Sequence, residues 1–83
     1  MEKTIYTREY RVLLRLLREA RQASGLTQVE LANKLAITQS LLSKMERGDR
    51  RIDIVELRAL CTAIGLDLED FVQRLDRELR AKS

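Results

Sequence analysis

The stretch KLAITQSLLSKM, residues 34–45, constrains the fold more than any other. Apolar residues recur at helical spacing on both sides of its middle: Leu31 and Leu35 before, Leu41, Leu42 and Met45 after. The register breaks between Ala36 and Thr38, although the chain has no proline and is rich in helix formers. Two helices of about two turns each, joined by a turn of about three residues, must meet at a steep angle. Neither is long enough to be stable alone, so each needs burial against other helices. Ala32 is small enough to let the two approach closely, and Ile37 in the turn is placed to plug the space between them.

The rest of the chain is punctuated in the same way. Thr7 is a cap for a first helix, with Glu9 in its first turn, and Leu13, Leu14, Leu17, Ala20 and Arg21 recur at helical spacing. Val12 and Leu16 lie beside that stripe and make the first helix more apolar than one buried face requires. Gly25 ends it. Thr27 and Glu30, three residues apart in TQVE, form a capping box that opens the second helix. Thr38 caps the third helix, which runs to Gly48. DRRID is a polar loop. Asp53 and Glu56 form another capping box and open a fourth helix, with Ile54, Leu57, Leu60, Cys61 and Ile64 inward and Gly65 at its end. Asp67 caps a fifth helix over residues 67–80, with a stripe of Leu68, Phe71, Val72, Leu75 and Leu79. No segment alternates as a strand would. The expected architecture is all-α, a five-helix bundle in one domain over residues 1–83, with the two-helix motif at 27–47.

Composition narrows the function. A chain of 83 residues makes one small domain, whose core must be Leu, Ile, Val and Ala because Tyr6, Tyr10 and Phe71 are its only aromatic residues. The single cysteine, Cys61, excludes an internal disulfide and reads as core packing rather than redox or metal chemistry. No apolar run approaches the roughly 18–20 residues of a membrane span, and MEKTIYTREY has no run suited to a signal peptide. We therefore expect a cytoplasmic protein. There is no histidine, no metal-ligand cluster and no glycine-rich phosphate loop, so neither an enzyme nor a cofactor is expected.

Charge is uneven. Residues 1–52 carry 11 Lys and Arg against 6 Asp and Glu, while residues 53–83 carry 5 against 7. A basic N-terminal portion points to a polyanion partner, with a solvated helical surface as the alternative. The outward face of the third helix is Gln39, Ser40, Ser43, Lys44 and Arg47, with no acid on it. Short hydrogen-bonding groups stand at its start and basic ones follow, an inventory suited to base edges in the DNA major groove. Thr27 and Gln28 open the second helix, where free N–H groups and the positive dipole end suit a phosphate. Arg50 and Arg51 in the loop are further phosphate candidates. Tyr6 and Tyr10 could stack on nucleic acid, but helix packing is the simpler use.

The run Leu26 to Gly48, LTQVELANKLAITQSLLSKMERG, resembles the Cro and phage-repressor type of helix-turn-helix, the XRE-like family of bacterial and phage regulators. The matching features are Thr-Gln opening the second helix, Leu-Ala within it, Thr-Gln opening the third, and a closing Glu-Arg-Gly. A looser likeness extends from Leu13 to Leu66. The resemblance implies a lambda-repressor-like DNA-binding fold. It implies that Gln39, Ser40 and Lys44 reach base edges, that Ser43 and Arg47 hold phosphates, and that Gln28 buttresses Gln39 while touching the backbone. It also implies an ion pair between Arg21 and Glu46, which has its own rationale: Arg21 lies in register with an apolar stripe and needs a partner there. The family usually has Gly where this chain has Ala36. Ala36 must then take up a left-handed backbone at a cost of about 1 kcal/mol, or the turn must differ.

Two functions remain open at this point. The first is a sequence-specific DNA-binding regulator, a repressor acting as a homodimer on a pseudo-palindromic operator with half-sites about one helical turn apart. The second is a protein-interaction module, an antitoxin or adaptor, that retains the fold and binds a toxin or other protein partner. The apolar surplus of the first and fifth helices serves either packing of one on the other or contact with a second copy.

Overall fold

A computed structural model of the chain describes residues 7–81. It contains five helices: α1 (Arg8–Ala23), α2 (Gln28–Leu35), α3 (Gln39–Arg47), α4 (Ile54–Ile64) and α5 (Leu68–Ala81). There are no strands among the described residues. Their starts follow local chemistry. The hydroxyls of Thr7, Thr27 and Thr38 and the carboxylate of Asp53 each accept a hydrogen bond from the backbone N–H three residues on. Glu30 and Glu56 reach back to the cap N–H groups of Thr27 and Asp53, which completes both capping boxes. Asp67 accepts from the Glu69 amide at the start of α5.

The break between α2 and α3 is a left-handed turn. Ala36 has φ 58° and ψ 39°, the only positive φ at a non-glycine residue among those described. The Ile37 amide then donates to the Ala32 carbonyl at 3.0 Å, which closes the end of α2. Ala32 is buried where the two helices meet, and Ile37 packs on the edge of the core.

The core is one aliphatic cluster with Leu16, Leu31, Leu42 and Cys61 as its most buried members and Phe71 as its aromatic residue. Burial pushes the Cys61 thiol above its ordinary pKa, so it stays protonated as a core group. Gly48 ends α3 in the left-handed region, and a Cβ there would come within 3.0 Å of the Leu14 side chain. Glycine thus permits both the turn and the close packing of α3 on α1.

Three readings of the apolar stripes need correction. Leu16 is in the centre of the core, while Leu13 is only partly buried. The reason is that α1 packs against both α3 and α5 and buries two faces rather than one. Ile54 is not inward: it is 62% exposed, beside Val55 at 73%. It lies in the first turn of α4, at the edge of the stripe, and has no place in the core cluster. Val72, at 40% exposed, likewise sits on the edge of the α5 stripe.

The surplus on α1 is covered within the chain, because α5 packs against α1 and α4. An ion pair from Arg15 to Glu78 at 2.9 Å clamps α5 to α1. Tyr10 is a packing residue: its hydroxyl accepts from the Ile52 amide at 3.0 Å and pins the loop between α3 and α4 to α1. Tyr6 lies outside the described residues.

Candidate nucleic-acid interface

The outward face of α3 is built from both ends. At its start, Thr38 caps the helix and leaves Gln39 and Ser40 exposed on the first turn. At its end, Lys44 and Arg47 are exposed and Ser43 is half-buried. The first turn of α3 contains no acidic residue, so the positive end of the helix is open to an anionic ligand. The Lys44 ammonium has no hydrogen bond or ion pair to other described residues.

Behind that face runs a polar network that crosses three helices. Arg21 on α1 donates to both carboxylate oxygens of Glu46 on α3, from Nε at 2.7 Å and Nη2 at 3.1 Å. Its Nη1 donates to the Leu26 carbonyl at 2.9 Å, so all three faces of the guanidinium are used. Gln28 at the start of α2 donates to the same Glu46 at 2.9 Å. Its own carbonyl oxygen accepts from Gln39 at 3.4 Å. The bond from Gln28 to Glu46 has no signal in the sequence, since it joins residues 18 apart. Its consequence is mechanical. The two glutamines are aimed by a carboxylate that is itself fixed by a buried arginine. Bidentate pairing of this kind is directional as well as strong.

The other candidate residues divide into engaged and available groups. Thr27 has its hydroxyl oxygen and its amide committed to the capping box, leaving its hydroxyl hydrogen to donate. The amides of Gln28 and Val29 lie in the first turn of α2 and lack intrahelical acceptors. Ser43 accepts from Arg47, and Arg47 also pairs with Asp49 at 3.0 Å. Arg50 pairs with Glu56 at 2.8 Å across the loop. That contact, with the Asp53 amide second, holds the Glu56 carboxyl below its usual range and raises Arg50. Arg51 is exposed on the same loop. The two loop-side ion pairs were not legible in the sequence, where these arginines read as unengaged. Both pairs are at least partly in contact with water, which weakens them.

No group of three or more His, Cys, Asp or Glu residues among those described could hold a metal ion. No described helix is long and apolar enough to cross a membrane.

The helix-turn-helix domain family matches residues 12–75. Among solved structures, an XRE-family like protein from Pseudomonas syringae pv. tomato str. DC3000 is 43% identical, with a TM-score of 0.84 over 90% of this chain and 92% of that one. ClgR from Corynebacterium glutamicum, a clp gene regulator, is 27% identical, with a TM-score of 0.73 over 86% of this chain and 76% of that one. No curated protein matches the chain. The family match over most of the sequence and the 43% identity to the XRE-family like protein place this chain in the helix-turn-helix domain family, among the XRE-like DNA-binding regulators.

Proposed function

We propose that this protein is a sequence-specific repressor that inserts α3 into the major groove as a homodimer. The observation that carries this reading is the braced, acid-free face of α3. Gln39 and Ser40 stand where base edges would be met first, and Lys44 follows one turn later. Gln bonds adenine in bidentate fashion, Ser bonds several base edges, and Lys favours guanine. Gln28 holds Gln39 and, with Thr27, presents donors to the backbone at the start of α2. Ser43, Arg47, Arg50 and Arg51 supply further phosphate contacts, for which the Arg47 and Arg50 side chains exchange Asp49 and Glu56. Residues 7–81 hold one reading helix, which reaches one half-site. Two copies related by a twofold axis would read an inverted repeat. Repression follows from occupancy of an operator.

The test is selection of bound sequences from a random duplex library by purified protein at physiological salt. An inverted repeat supports both the sequence reading and the symmetric dimer. A single unpaired site keeps the reading helix and removes the dimer. No enrichment removes specific recognition and turns attention to a toxin-like or adaptor protein partner.

A further inference from the structure

Unlike Arg21, which braces Glu46, the arginines in the middle of α1 take no part in the proposed reading of DNA by α3. Arg11, Arg15 and Arg18 fall at i, i+4 and i+7 and so share one helix face. That face forms one wall of an open cleft of about 480 Å³, whose other wall is the end of α3 with Glu46, Arg47 and Asp49. Most of the charges in the cleft are balanced. Glu46 is held by buried Arg21, Arg47 by Asp49, and Arg15 by Glu19 at 3.2 Å and Glu78 at 2.9 Å. Arg18 is exposed and has no partner among the described residues. Arg11 is exposed one turn beyond Arg15.

We infer that this cleft extends the DNA interface: Arg18, supported by Arg11, takes a phosphate of the duplex backbone beyond the segment read by α3. This rests on the proposed reading of DNA by α3. Arg47 is the last residue of α3 and also lines the cleft, so the wall of a groove that receives α3 continues onto α1. The class of ligand follows from exposure. A small anion needs enclosing donors, whereas Arg11 and Arg18 stand in solvent on an open face. An extended phosphodiester chain is met by such a row of forked guanidinium groups.

The test is the salt dependence of binding to a duplex carrying the selected site, for wild type, Arg18→Gln, Arg18→Lys and Lys44→Ala. Arg18→Gln should flatten the slope of log K against log salt by about 0.9 and weaken binding about five-fold at 0.15 M, on specific and random duplexes alike. Arg18→Lys should restore the slope, because the contact needs charge. An unchanged slope in Arg18→Gln, with Lys44→Ala still losing site preference, overturns the inference and leaves the reading by α3 intact. Failure of the wild type to bind any duplex overturns both. Inorganic triphosphate is the second probe. If it binds in an Arg18-dependent way while the duplex slope is unchanged, the cleft is a small-anion site and the duplex assignment falls.

Discussion

Glu46 and Arg47 are adjacent on α3 and belong to two different regimes. Glu46 faces inward, where it and Arg21 are each 10% exposed and Gln28 shares the carboxylate. Arg47 faces outward, where it and Asp49 are 57% and 55% exposed. The inner group has exchanged water for fixed partners, so its removal leaves buried charge behind. The outer group is still in water, and its ion pair contributes about 0–1 kcal/mol. One helix thus carries a rigid back and a labile front. On the proposed reading of DNA, the front would give up its ion pairs for phosphates and so needs weak ones, while the back holds the glutamines in aim and needs strong ones.

Breaking the inner regime should have the largest effect. Glu46→Ala leaves Arg21 buried and unpaired and should destabilise the fold by about 3–5 kcal/mol in urea unfolding. Replacing both partners with apolar residues, Arg21→Met with Glu46→Leu, should recover most of that stability. A loss below about 1 kcal/mol in the single variant would mean that the pair does not hold α3 on α1. The outer regime should respond in the opposite way. Lys44→Ala should leave the unfolding midpoint unchanged while specific binding weakens by about 1–3 kcal/mol if the side chain reads a base. A loss of the same size on every sequence would reassign Lys44 to the backbone.

Two smaller effects sharpen the contrast. Ala36→Gly relieves the left-handed turn that sets α3 against α2 and should stabilise the protein by about 0.5–1 kcal/mol, net of the added freedom of the unfolded chain. The expected rise in thermal midpoint is about 4 °C, and no rise would show that the turn is unstrained. The smallest effect is the pH dependence from Glu56. Its carboxyl is held below its ordinary value of 4.5, first by Arg50 and then by the Asp53 amide. The stability it contributes is therefore present above that value and is lost as pH falls through the depressed one. Glu56→Gln should flatten this part of the acid unfolding curve, by less than about 1 kcal/mol for so exposed a pair. An unaltered curve would mean that the loop is not held by this contact.

Helix boundaries were legible residue by residue because their causes are local. The Thr7, Thr27, Thr38 and Asp53 caps each act over three residues, and of the two alternatives at Ala36, a left-handed backbone or a different turn, the structure takes the first. The outward face of α3 was legible for the same reason, since helical spacing alone separates Gln39, Ser40 and Lys44 from Leu41, Leu42 and Met45. Burial was less so. Period assigns an angle around a helix but does not say how many sides will be covered or where along its axis a neighbour begins. For that reason Leu16 went deeper than Leu13, and Ile54 stayed outside the core.

Polar partners divide along the same line. Arg21 called for a carboxylate because of its place on an apolar stripe, a demand visible in one helix. That Glu46 would also receive Gln28 and that Tyr10 would hold the Ile52 amide depended on where helices distant in sequence came to rest, and that Arg50 would reach Glu56 depended on how the loop turns back onto the start of α4. By itself the sequence determined the five described helices, their caps, the place of the turn and the chemistry of the outward face of α3, because short-range hydrogen bonds and helical period decide them. Only the tertiary structure decided which carboxylate braces which glutamine and which arginines gather beside the end of α3, because those contacts exist only once the aliphatic core has set the helices against one another.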